Sequence, residues 1–171
     1  MQPTTELPPI VVGVDGSAPS ILALRWAGVL APLLKAHIRA VSCWHFQIAV
    51  GTFLPVDWNP EEDARNVCAE AVAKAFDGVL PAGLEMVAVQ GPAAKILVEE
   101  SRSAQLVIVG SRGHGGFEGL LLGAVSATVA EHAKCPILVA HGLDLPAGIS
   151  VAPGQASAEG GAQAGSSHAL P

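Results

Sequence analysis

An α/β fold with an open, mostly parallel sheet is what this sequence predicts, on two observations. Across residues 9–141, short β-branched runs alternate with longer stretches of helical periodicity, which is how repeated βα units read. Two of the short runs, Ile10-Val11-Val12-Gly13-Val14 and Leu106-Val107-Ile108-Val109, carry no polar side chain at all. A strand covered by helices on both faces has that pattern, whereas a half-exposed strand alternates.

The first strand ends at Asp15-Gly16-Ser17, a turn and helix-start signal. Ser17 can cap the helix that follows and Pro19 suits its first turn. Leu22, Trp26, Val29, Leu30 and Leu33 give that helix an apolar stripe. Pro32 is expected to kink or end it, because its ring clashes with the carbonyl of Gly28. A second strand runs from about Ile38 to Trp44, and an irregular stretch reaches Asn59. Pro60-Glu61-Glu62 opens the second helix with acids that complement its dipole, and Val67, Ala71, Ala75 and Val79 mark its expected buried face. Leu84 to Gln90 is the third strand, Pro92 to about Ser103 the third helix, and 106–109 a central fourth strand. A glycine-rich loop from Gly110 to Gly123 leads into a helix ending near Ala133, and Pro136 to Ala140 is the last strand.

Composition sets the boundaries. With 171 residues the chain is one compact domain, with a tail from Gly142 to Pro171 made mostly of Ala, Gly, Ser and Pro. Such a segment has too little apolar area to offset its ordering entropy and is expected to be disordered, as are residues 1–8. A net charge of −6 has the wrong sign for a protein held on nucleic acid by phosphate neutralisation. No window of about 18 apolar residues lacks a charge or a breaker, so membrane insertion is not expected. The start MQPTTELPP does not read as a secretory signal, which makes the cytoplasm the expected compartment. Cys43, Cys68 and Cys135 are odd in number and widely spaced, against a disulfide framework or a zinc site.

The most informative stretch is Gly110-Ser-Arg-Gly-His-Gly-Gly-Phe-Glu-Gly-Leu-Leu-Leu-Gly123-Ala-Val-Ser126, between a buried strand and a helix. In an open α/β sheet this is the carboxyl-end crevice, where ligands bind. Its glycines permit close backbone approach, the helix start offers free N–H groups, and Arg112 and His114 add donors, all of which suits a phosphate. The spelling excludes two common alternatives. No Gly-Lys pair exists for a P-loop, and Gly113-His-Gly115 is followed by Phe117-Glu118 where a dinucleotide fingerprint needs glycine. A surface loop that needs glycine only for its turns has the same composition.

Three separated motifs resemble the universal stress protein family: the spacing Gly110-x2-Gly113-x9-Gly123, the opening Val12-Gly13-Val14-Asp15-Gly16-Ser17, and the ending Ala133-Lys-Cys-Pro136-Ile-Leu-Val. The likeness spans about residues 9–140. It implies an open, Rossmann-like five-stranded parallel sheet with helices on both faces and strand order 3-2-1-4-5, in the ATP-binding branch of the family. By the same resemblance, Gly13, Val14 and Asp15 would meet the adenosine and Cys43 would lie beside the adenine. Gly110, Arg112 and Gly113 would line the ribose and phosphates, with Gly123, Ala124, Val125 and Ser126 closing on the phosphates. The family has Ser or Thr where this chain has Ala124, and one lost hydrogen bond weakens binding by roughly 0.5–1.5 kcal/mol.

Function follows as an expectation: a nucleotide-responsive regulatory module that binds ATP, with or without Mg²⁺, in stress response. The other class is a dimeric stress-related scaffold of the same fold that uses no nucleotide. The loop has no Lys and no clear carboxylate pair, so slow ATP hydrolysis is the most that is expected of it as an enzyme. Cys135 has no His-Asp partner by spacing, and His37, His45, His132 and His141 show no ligand pattern. Trp44 and Trp58 suit either an adenine cover or lid and core packing. The last strand, Ile137 to Ala140, is apolar and lies at a sheet edge in the implied order, so a homodimer joined there is expected.

Overall fold

The computed structural model describes residues 7–45, 58–113 and 121–151. The chain alternates β1 (Ile10–Gly13), α1 (Ala18–Leu34), β2 (Ile38–Trp44), α2 (Pro60–Ala75), β3 (Glu85–Gln90), α3 (Ala93–Glu100), β4 (Leu106–Gly110), α4 (Ala124–His132) and β5 (Ile137–Ala140), with a 3₁₀ turn at Ser101–Ser103 after α3. All neighbouring strands pair parallel, in the order β3-β2-β1-β4-β5. Fold class and strand order are as the sequence and its family resemblance imply.

Because β1 is apolar at every position, it feeds two cores. Ile10 and Val12 face α1 and α2, together with Ile38, Ala40 and Ile108. Val11 faces the other layer, with Val41, Val107, Val109, Leu97 and Val129. Arg39 of β2 ties β3 and α3 together, its guanidinium lying 2.6 Å from Glu85 and 3.0 Å from Glu100. Those two carboxylates outweigh the arginine's partial burial and raise its pKa.

Helix starts follow their sequence signals. Ser17 caps α1, accepting from Ser20 N, and Asn59 caps α2, accepting from Glu62 N. The buried faces match the expected stripes in part. In α1 the buried side is Leu22, as expected, with Ala23, Leu24, Ala27, Gly28 and Ala31, and Trp26 and Leu30 pack against the core, while Leu33 is 74% exposed. In α2 it is Ala64, Cys68, Ala71, Val72 and Ala75, while Val79 is 61% exposed. Small residues such as Ala27 and Ala71 let a helix axis approach a sheet closely, and Leu22, Leu24 and Val72 fill the space beside them. Pro32 does not end α1 at once, because its missing N–H removes a single helical hydrogen bond. The helix runs two residues further and closes with Lys35 in the left-handed region at φ 51°.

The segment after β5 also differs from expectation in its first ten residues. Leu145 and Val151 pack against the α1–α2 core, and Asp144 lies 3.5 Å from Arg25 of α1. Gly28 makes room for this strap: a Cβ there would stand 2.7 Å from both Phe76 Cε1 and Val151 Cγ1. At the other terminus, Gln105 donates to the carbonyls of Pro8 and Pro9. Residues 1–6 and 152–171 lie outside the described residues.

Candidate functional site

The carboxyl ends of β1, β2 and β4 open into a cavity of about 420 Å³. Its floor is Gly13 and Val14 at the end of β1, Val41 and Cys43 in β2, and Val109 and Gly110 in β4. Two glycines keep the floor low. A Cβ on Gly110 would stand 2.7 Å from the Pro19 backbone, and one on Gly13 would stand 2.8 Å from Leu97 Cδ1.

Asp15 stands on one wall. Its Oδ1 accepts from Ser17 N at 3.0 Å and Ser17 Oγ at 2.5 Å, which fixes the carboxylate as the β1–α1 turn is made. Its Oδ2 occupies the space that a Cβ of Gly113 would need, so the glycine and the carboxylate meet across the mouth of the cavity. Both the turn role and a ligand-facing position therefore belong to Asp15.

The opposite wall is the start of α4. Gly123 occupies the N-cap position at φ −72° and supplies no side-chain cap, which leaves the first-turn N–H groups of Ala124, Val125 and Ser126 without a helical acceptor. The glycine loop is pinned at its stem. Ser111 O accepts from Gly123 N at 2.7 Å and from Ser126 Oγ at 3.0 Å, while Ser111 N donates to Ala140 O at 2.8 Å. Ser126, which the resemblance sets against the phosphates, is buried, and its hydroxyl donates to main-chain carbonyls. Arg112 is exposed at the rim and forms no ion pair among the described residues.

Cys43 closes the β2 side as a neutral wall. Burial, with the Glu100 carboxylate adding to it, pushes its thiol up to about 11. Cys135 is also shifted up by burial. Neither thiol has the thiolate character of an activated nucleophile. A second cavity, of about 470 Å³, shares Asp15 and Cys43 and continues past Trp44 and His45 to Trp58, whose indole donates to Asp63 at 3.0 Å.

All eleven residues singled out from the sequence thus line one cavity. Ser20, Val41, Ala93, Leu97 and Val109 line it as well and were not singled out. Part of their signal was present: Val109 is next to the last residue of the apolar β4, and Ala93 and Leu97 share one face of α3 four residues apart, whereas Val41 is mid-strand in β2 and reaches the cavity by pairing with Gly13 at the end of β1. His114 falls outside the described residues. Among the described residues, no group of three or more His, Cys, Asp or Glu could hold a metal ion.

Comparison with known proteins places this geometry. The family model described as Universal stress protein family matches residues 7–141. The chain is 36% identical over 142 residues to Universal stress protein Rv2623 of Mycobacterium tuberculosis, covering 82% of this chain and 48% of the relative. It therefore spans about half the length of the curated relatives it matches. Among solved structures, a universal stress protein in complex with cAMP aligns with a TM-score of 0.57 and 27% identity, over 80% of this chain and 98% of that one. The universal stress protein of Archaeoglobus fulgidus in complex with dAMP aligns at 0.55 and 19% identity, over 80% and 100%, a likeness of fold.

Proposed function

This chain belongs to the universal stress protein family, and from that premise we propose that it is an adenine-nucleotide-binding regulatory module, in which occupancy of the cavity alters the shape offered to partners in a stress response. The observation that carries this reading is the cavity itself, where Asp15, the paired glycines 110 and 113, and the uncapped start of α4 converge. Asp15 accepts from ribose or base, Cys43 and Val41 give the base an apolar wall, and the α4 N–H groups with Arg112 take the phosphate end. The loop spacing implies ATP as the ligand. Solved relatives that hold cAMP and dAMP support a nucleotide in this fold.

Among the described residues, the cavity wall fits a nucleotide better than it fits Mg²⁺, since Asp15 is the one carboxylate on it. No catalytic step is proposed: among the described residues the wall offers neither an activated nucleophile nor a carboxylate pair. Among the described residues no helix is long and apolar enough to cross a membrane, and the reading places the protein in the cytoplasm without nucleic acid. Among the described residues, edge strand β5 pairs with β4 alone, and a homodimer joined through Ile137–Ala140 belongs to the same reading.

Two measurements test it. Calorimetry with ATP and Mg²⁺, beside extraction of nucleotide from the purified protein, is expected to show binding that Asp15→Ala weakens. No binding up to millimolar ATP would leave the nucleotide-free scaffold as the better reading, which Ala124 and the committed Ser126 hydroxyl favour. Sedimentation at micromolar concentration checks the dimer, and a monomer alone would remove it.

A further inference from the structure

The second cavity, of about 470 Å³, meets the glycine-loop cavity at Asp15 and Cys43 and then runs between the carboxyl end of β2 and the first turns of α2. Its walls combine two indoles, Trp44 and Trp58, with two carboxylates, Asp15 and Asp63. Trp58 Nε1 donates to Asp63 Oδ2 at 3.0 Å, which fixes one ring beside one carboxylate. Ser42 also lines the cavity, 3% exposed, and its hydroxyl forms no hydrogen bond among the described residues. A buried hydroxyl in that position calls for a polar partner from a ligand.

The charge of this cavity has one sign. All 9 Lys and Arg of the chain lie among the described residues, and none of them lines it. The rest of the chain therefore has no Lys or Arg to bring to it. Arg65, the nearest in sequence, is held by Glu61 at 2.6 Å. The start of α2 contributes about half a positive charge here. Asn59 caps that start, however, and Glu61, Glu62 and Asp63 stand in its first turn, so carboxylates outweigh the helix end. A cation is favoured over an anion. Among the described residues no group of three or more His, Cys, Asp or Glu is placed to hold a metal ion, and indoles do not ligate hard cations. An organic ammonium ion matches instead: tryptophan is the best aromatic partner for a positive charge, and carboxylates take charge-assisted hydrogen bonds. Ser42 adds an acceptor, and Cys43 and Val67 give carbon substituents an apolar surface.

We propose that this second cavity binds a small organic ammonium ion, held by the indoles of Trp44 and Trp58 and the carboxylates of Asp15 and Asp63. The site lies beside the nucleotide cavity and does not require that cavity to be filled.

Titration of the full chain without nucleotide tests it, by calorimetry and by tryptophan fluorescence, since two of the chain's 3 tryptophans line the cavity. The probes are choline, spermidine and dimethylbutanol, the uncharged carbon analogue of choline. Choline or spermidine is expected to bind about tenfold or more tightly than dimethylbutanol. Asp63→Asn keeps an acceptor for Trp58 Nε1 but removes the charge, and is expected to weaken that binding by about fivefold or more. Trp58→Leu, which keeps the carboxylate and removes the ring, is expected to do the same. Glu131→Gln removes an exposed charge on α4 that does not line the cavity, and is expected to change the constant by less than about twofold. Thermal unfolding establishes that each variant is folded. Dimethylbutanol binding as tight as the ammonium ions, affinity untouched by Asp63→Asn and Trp58→Leu, or an equal loss in Glu131→Gln overturns the proposal. So does the failure of both ammonium ions to bind up to millimolar concentration.

Discussion

Gly113 and Asp15 share one small volume: the space that a side chain on residue 113 would fill is held by Asp15 Oδ2. Gly113→Ala therefore displaces the carboxylate. The carboxylate is held by Ser17 N and Ser17 Oγ, so moving it strains those two bonds, and a stability loss of about 1 kcal/mol is expected. Nucleotide affinity is expected to fall by about tenfold, as the group that faces the ligand is turned away. Thermal unfolding beside calorimetry separates the two effects, and a large loss of stability would contradict this account.

Gly110→Ala has the opposite signature. Its Cβ would meet backbone atoms, Pro19 C at 2.7 Å and Ser20 N at 2.9 Å, which cannot rotate away. Either β4 or the start of α1 must shift, and a stability loss of about 1–3 kcal/mol is expected in urea unfolding. A variant as stable as the parent would show that these two elements are not held in contact.

The cysteines make stability fall at alkaline pH. Burial raises the thiols of Cys43 and Cys68 from 9.0 to about 11. Unfolded thiols ionise before native ones, so the contribution is complete below pH 9.0 and is lost as pH rises towards 11. The chain has no tyrosine to mask the effect. The urea midpoint is expected to decline across that window, and less steeply in Cys68→Ala. Equal slopes would contradict the assignment.

The strap after β5 contributes to the core although its composition resembles a linker. Leu145→Ser together with Val151→Ser withdraws two apolar side chains from the α1–α2 side. A loss of about 1–3 kcal/mol is expected, since both residues are only partly buried. The Asp144–Arg25 pair is exposed, and Asp144→Ala is expected to alter stability by under about 0.5 kcal/mol. Denaturant unfolding of the two variants checks the contrast.

The parts of this molecule that could be read from its sequence are those where one residue type has one physical use. Continuous Val and Ile runs mark β1 and β4 as central, Ser17 and the Pro60-Glu61-Glu62 opening mark helix starts, and the glycine spacing marks the cavity. Helix faces were harder to read. Hydrophobicity found Leu22, Ala71 and Ala75 but also pointed to Leu33, Val67 and Val79, which are exposed, while alanines such as Ala23, Ala27 and Ala64 pack inward and score weakly in any apolar pattern. The Ser126 hydroxyl shows the limit from the other side: its position at the cavity is legible, but the direction of its proton depends on where Ser111 O comes to rest. Leu145 and Val151 carry no such signal, because the four apolar residues Leu143, Leu145, Ile149 and Val151 are broken by Pro146-Ala147-Gly148 and hold no sustained period.

The carbonyl of Ser111 accepts from both Gly123 and Ser126, and its own amide is anchored on β5. This knot makes the segment between Arg112 and Gly123 a splice site, because its two ends are joined to each other before anything in between is specified. Doubling the length of such an insert adds only about 0.6 kcal/mol of closure entropy. Loops of other lengths and chemistries can therefore be exchanged here while Asp15, Cys43 and the α4 start keep their places, and one scaffold can be retuned to new ligands by changing a single stretch of chain.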